Sequence, residues 1–445
     1  MRTLATRVKA GDSLMNQPSR TSLAAAATLS LVSVALNANP IDQIRPDAPE
    51  LAPYGTYPIG VQTLNVSHPE QVDILNVSGD DIPTYDRPLT LEVWYPADPA
   101  TEPGGTYTAK LRDGETEVSL SGRAARDAKP ATGTRFPLIV LSHGYPGNRY
   151  LMTHLAENLA SKGYVTVSID HTDSTYSDQA AFGSTLYNRP LDQRFVIDKM
   201  AKLDGPLGAI TDANATAVIG YSMGGYGALI FGGAGVTQAS TEYNWGTPSG
   251  LLERHIAGSD SHEALIDDRV KAIIAIGPWG RNAGFWDTEG AAGLRVPTMF
   301  MAGSVDDVSV YEAMRMMFEE ASRTDRHLLT FENANHNAAA PIPAPMESWV
   351  PAEKLEFIPF DHYADAVWDT VRMNNITQHF ATAFLDMHLK NDADKAAYLD
   401  LVPNASDGVI AFDDAQKPTE DHTYWHGFAP RTAVGLRFET LSKGQ

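Results

Sequence analysis

The chain has 445 residues, 43% of them apolar, with 34 basic against 55 acidic side chains, a formal charge of −21 and no cysteine. That length can bury a large core, as one elaborated domain or as two, while the charge argues against nucleic acid and anionic membrane surfaces as partners. Without cysteine there are no disulfides, thiolate metal ligands, cysteine nucleophile or lipid-modified N-terminal cysteine.

In chain order, the run Leu23–Leu36 after Arg20 is apolar, too short to cross a bilayer and the right size for the core of a signal peptide. Residues 1–38 are therefore expected to be a leader, with Ser33, Ala35 and Ala38 as small residues near a cleavage point, and the protein is expected to be secreted or periplasmic. No other stretch is long and apolar enough to span a membrane. Pro-rich residues 39–55 are expected to be a linker. A catalytic domain over 56–400 and a packed tail over 401–445 follow. Ile59–Leu64 and Leu91–Tyr95 are expected strands, the second alternating like a half-buried one. Residues 97–135, which mix Gly, Pro and charge, suggest a surface excursion.

Short continuous apolar runs then begin: Phe136–Ser142, Tyr164–Ile169, Ala217–Ile219, Val270–Ile276, Thr298–Met301 and His327–Phe331. Runs without alternation mark strands buried on both faces. Helical stretches separate them, at Tyr150–Ser161, Leu191–Leu203, Tyr226–Phe231 and Val310–Ser322. That order predicts an α/β fold with a mostly parallel central sheet flanked by helices. Insertions are expected at 234–268 and 337–360, and a further helix over Asp361–Lys390. In such sheets, sites form beyond the carboxyl ends of the strands.

At one such end stands Gly220-Tyr-Ser-Met-Gly224, between a strand run and a helical run. This is the context of a nucleophile elbow, where a sharp turn holds Ser222 clear of the sheet and needs small residues two before and two after it. A serine hydroxyl is a weak nucleophile until a base takes its proton and a third group orients that base. His336, just after the last core strand, is the candidate base; His143 also follows a strand but precedes the serine. Asp306, three residues after Gly303, is the favoured candidate acid; Asp307 is its neighbour, and since adjacent loop residues point in different directions only one of the two can face the histidine. The alternative acid position after Ile276 reads Gly-Pro-Trp-Gly-Arg and offers no carboxylate. An oxyanion hole would use the N–H groups of Met223, next to the serine, and of Tyr145 in the His143–Gly147 loop. The Tyr145 ring would border the acyl site, and Trp279 could form its opposite wall.

Leu141-Ser-His-Gly-Tyr145, Gly220-Tyr-Ser-Met-Gly-Gly225, Gly303-Ser-Val-Asp306 and Asn335-His336 resemble the α/β-hydrolase superfamily. More narrowly, the set looks like bacterial predicted dienelactone hydrolases, which are akin to platelet-activating-factor acetylhydrolases. Arg87–Pro96 and the Asn374–Leu389 segment share that likeness, which spans roughly residues 50 to 400. The Ser-Met-Gly elbow, Tyr145 and the Pro278-Trp279 pair are also similar to cutinase-like polyester hydrolases. The resemblance implies an α/β-hydrolase fold with a C-terminal extension and a serine carboxylic-ester hydrolase working through an acyl-enzyme. The substrate would be a small or polymeric ester. A lipase, phospholipase or polyester hydrolase would use the same triad, and a non-catalytic binder on the same scaffold is the remaining alternative. No metal or organic cofactor is implied, since no HExxH, P-loop or dinucleotide fingerprint is present.

Overall fold

Alternate residues of each central strand enter two different apolar cores. From β7 (Phe136–Ser142), Leu138 and Val140 enter one core, while Ile139 and Leu141 enter the other. The same division holds along β9 (Thr211–Tyr221), β10 (Val270–Ile276), β11 (Thr298–Gly303) and β12 (Arg326–Phe331). A strand apolar on both faces must be covered on both, which explains the continuous runs. The structure, a computed structural model, describes residues 39–445. The expected leader, 1–38, lies outside the described residues.

The remaining strands are β1 (Asn39–Pro40), β2 (Ile59–Val72), β3 (Thr84–Pro96), β4 (Gly105–Lys110), β5 (Glu117–Gly122), β6 (Ala125–Arg126), β8 (Val165–Asp170) and β13 (Leu436–Leu441). The large sheet has the order β13-β12-β11-β10-β9-β7-β8-β3-β2-β6. Its centre from β8 to β12 is parallel, while β2, β3 and β13 pair antiparallel. The helices are α1 (Thr153–Ser161), α2 (Phe182–Ala201), α3 (Gly205–Ile210), α4 (Met223–Phe231), α5 (Asp260–Glu263), α6 (Thr288–Ala292), α7 (Tyr311–Glu320) and α8 (Thr370–Leu389). Side chains of α1 and α8 fill one core; those of α2, α4 and α7 fill the other. Among the described residues, no helix is long and apolar enough to cross a membrane.

The structure departs from the sequence expectations in four places. Helix α8 begins at Thr370, not Asp361, because Asp369 caps it, its side chain accepting the Arg372 N–H at 2.8 Å. Helix α2 begins at Phe182, nine residues before the expected start, and carries Pro190 in its interior. Proline there leaves the carbonyl four residues back without its N–H partner. That carbonyl, on Leu186, accepts the Tyr226 hydroxyl from α4 at 3.2 Å, so the helix continues. Residues 39–55, read as a linker, are docked on the domain instead. The Ile41 N–H donates to Ser121 O, and the N–H groups of Arg45 and Leu51 donate to the Asn375 and His379 side chains of α8. The excursion at 97–135 supplies β4 and β5 of a second sheet, β1-β5-β4, which Asn39–Pro40 joins at one edge. In the tail, β13 covers the free edge of β12, and Phe438 stacks on Phe380 of α8 at 5.0 Å.

Candidate active site

Ser222 sits where β9 bends into α4, at φ 52° and ψ −112°. That conformation is costly for a residue with a Cβ and persists only where the surroundings impose it. Here the backbone is packed to contact: a Cβ on Gly224 would overlap the Ser142 carbonyl, and one on Gly220 would overlap the Gly224 carbonyl. The Ser222 N–H donates to Ile276 O at the end of β10 at 2.8 Å, pinning the elbow to the next strand. The serine is 8% exposed and lines a cleft of about 310 Å³.

His336 lines the same cleft, on the loop after β12. Its Nδ1–H donates to Asp306 Oδ2 at 2.7 Å, which leaves Nε2 as the free ring nitrogen. Asp306, on the loop after β11, is fixed through its other oxygen, which accepts the N–H groups of Val308 and Ser309 at 2.9 and 2.8 Å. The Ser309 hydroxyl in turn donates to Gly277 O at 2.7 Å. Gly277 has φ 52°, and a Cβ there would stand 3.3 Å from the His336 ring, so glycine lets the imidazole lie against this backbone. The Tyr221 ring covers the imidazole at 5.2 Å. Asp307 lines the cleft and makes no bond to the histidine. Among the described residues the Ser222 hydroxyl has no hydrogen bond of its own. Such contacts are often loose without substrate and tighten when it binds.

The loop after β7 passes close to the serine, with a Cβ on Gly144 falling 3.3 Å from that of Ser222. The N–H groups of Tyr145 and Met223 find no acceptor among the described residues. The loop's carbonyls turn the other way, toward Arg189 of α2. This fully buried guanidinium donates to His143 O, to Gly144 O at 3.4 Å and to the Ser174 hydroxyl. His143 is buried, with Nδ1 on Gly144 O at 2.7 Å and Nε2 accepting the His171 N–H at 3.3 Å. Burial and Arg189 push its pKa well down. It is a neutral support for the loop.

The Tyr145 ring lines the cleft, and its hydroxyl donates to Ala180 O at 2.6 Å. Trp279 is partly exposed and stands one side chain back from the cleft. Phe182 packs edge-on to it at 5.3 Å and to Tyr145 at 5.1 Å. Sequence reasoning did not find Ser309, Gly277, Arg189 or Arg112, which also lines the cleft. The Asp-x-x-Ser spacing was a usable signal for Ser309. The others are assembled from distant elements.

A mostly parallel sheet, helices on both faces and a strained serine at the turn after β9 define the α/β-hydrolase fold, and this chain has it. Residues 118–241 match the family model described as PETase: PET hydrolase-like. Cutinase est1 of Thermobifida alba is 25% identical over 213 residues, which cover 47% of this chain and 56% of the cutinase. Cutinase est2 of the same organism is also 25% identical over 213 residues, 47% of this chain and 55% of that protein. The chain thus spans about half the length of the curated relatives it matches. A ferulic acid esterase from Streptomyces cinnamoneus superposes with a TM-score of 0.55 at 21% identity, covering 80% of this chain and 94% of that one.

Proposed function

We propose that the protein is a serine carboxylic-ester hydrolase. The observation that carries this reading is the Asp306–His336 hydrogen bond in the cleft that Ser222 also lines, with Ser222 held at an elbow. Ser222 Oγ attacks the ester carbonyl as its proton passes to His336 Nε2, and Asp306 holds the imidazolium through Nδ1–H. The N–H groups of Tyr145 and Met223 receive the oxyanion. The tetrahedral intermediate expels the alcohol, which takes the proton from His336 and leaves an acyl group on Ser222. Water, deprotonated by His336, attacks that acyl-enzyme and releases the acid. Tyr145 borders the acyl group, and Trp279 supports that wall through Phe182. The names of the relatives, cutinases and a PET hydrolase-like family, favour a polyester as the second reading of the same chemistry.

Export belongs to the same proposal and rests on the Leu23–Leu36 run. A fluorophosphonate probe on folded protein tests the mechanism. Labelling should fall on Ser222 and be abolished by Ser222→Ala. A protein left unlabelled would be a binder on this scaffold and not an enzyme.

A further inference from the structure

One cation in the cleft is paired with no carboxylate among the described residues. Arg112 stands in the turn between β4 and β5, on the small second sheet, and lines the cleft with Ser222 and His336. It is half-buried, yet among the described residues its guanidinium forms no ion pair and no hydrogen bond. It lies over the Phe357 ring at 5.5 Å. The carboxylates next to it in sequence are engaged elsewhere. Asp113 accepts the Thr116 hydroxyl and the N–H groups of Glu115 and Thr116, and Glu115 pairs with Lys354. Burial lowers the Arg112 pKa, and the groups that oppose this are Tyr176, Tyr363 and Tyr145, with no carboxylate among them. His362, on the same cleft, is held neutral by burial, its pKa pushed down to about 3. A guanidinium stays charged under these conditions, and a charge partly removed from water without a partner is unfavourable.

The acidic composition sharpens the point. With 55 acidic side chains in the chain, a cleft arginine could readily have acquired a partner, and this one has none. We propose that Arg112 receives a carboxylate carried by the substrate, so that the preferred ester is one bearing a free acid group, such as the half-ester of a dicarboxylic acid. The planar fork of the guanidinium matches a carboxylate with two parallel hydrogen bonds. Asp307 and Asp361 also line the cleft, and they would repel a phosphate dianion more than a monoanion. This inference rests on the ester-hydrolase reading for its chemistry but not for its binding step.

Two measurements test it. The first is kcat/KM, followed by pH-stat, for the monoethyl and diethyl esters of succinic, glutaric and adipic acids. At least one monoethyl ester should exceed its diethyl counterpart by about tenfold or more, the scale of one charge-assisted pair. Arg112→Gln should erase that ratio and Arg112→Lys should keep part of it. Diethyl esters that match or beat all three monoethyl esters would overturn the inference, and so would an Arg112→Gln variant that slows both forms by the same factor. The second is calorimetric titration of monoethyl glutarate into Ser222→Ala protein at low salt. Affinity should fall about tenfold when Arg112→Gln is added; equal affinity, or no binding to either, overturns the inference. Failure of the wild-type protein to cleave any of the six esters would sink the hydrolase reading alone, and the titration would then decide on Arg112.

Discussion

Two histidine–aspartate pairs, each bonded through Nδ1 and each near a serine, sit in different settings. In the cleft, His336 Nδ1 meets Asp306 at 2.7 Å beside Ser222. Behind the loop after β7, His171 Nδ1 meets Asp192 at 2.9 Å and its Nε2 meets the Ser142 hydroxyl at 2.8 Å. Judged by hydrogen bonds alone, the second set is the better formed. It is sealed, however, with Ser142 at 0% and His171 at 1% exposure, and Ser142 continues an ordinary strand. Arg87 takes up Asp192 through two bonds of 3.0 and 3.2 Å and also pairs with Asp173. The Asp192 carboxylate is held well below its usual range by Arg87 and His171. On the proposed function, access and backbone geometry, not residue identity, separate the nucleophile from the structural tie. The sealed set joins the ends of β7 and β8 to α2 and β3, and so supports the loop that Arg189 grips.

The same substitution made in each of the two sets should break this symmetry. The largest effect is expected at the serines. Ser222→Ala should lower turnover of a p-nitrophenyl acyl ester by about 10⁴-fold or more, whereas Ser142→Ala should keep turnover within about tenfold and cost roughly 1–3 kcal/mol of stability through the unpaired imidazole. If both variants lost activity alike, the assignment of roles would fail. Next come the acids. Asp306→Asn should cost about 10³–10⁴-fold in kcat with little change in unfolding midpoint. Asp192→Asn should do the reverse and lose about 3 kcal/mol in urea unfolding, since Arg87 loses a buried partner.

A third test concerns acid. Burial lowers the pKa of His154, His171, His255, His362 and His379 to about 3, and that of His327 to about 4. A histidine free in the unfolded chain titrates near about 6.5, so below that pH the unfolded state binds protons the folded state does not. Stability should be full above about pH 6.5 and fall progressively toward pH 3–4, each site contributing at most about 1.4 kcal/mol per pH unit. Urea midpoints at pH 7.5, 6 and 5 check this. A midpoint flat across that range would mean the interior histidines are hydrated.

Much of the central sheet was legible because strands buried on both faces must be apolar throughout, as in Val270–Ile276 and His327–Phe331. The elbow was legible because close packing leaves so few choices at Gly220 and Gly224. The strands β4 and β5 were not, since they alternate in and out amid glycine and charge and pack in a separate sheet. The start of α2 was hidden by Pro190, whose cost is offset by Tyr226, a side chain 36 positions away in sequence. Arg112 carried no local signal, because its isolation is a property of the assembled cleft.

The loop bearing His336 hangs from β12, and the outer edge of β12 is covered by β13, which begins only at Leu436. Arg326 at the root of β12 is fastened by carbonyls of Ser442 and Gln445. A nascent chain emerging from the ribosome has therefore already made Ser222, Asp306 and His336 while the sheet still presents a bare, sticky border. Until Leu436–Leu441 has emerged and paired, that border is open to other chains, which is a hazard for aggregation.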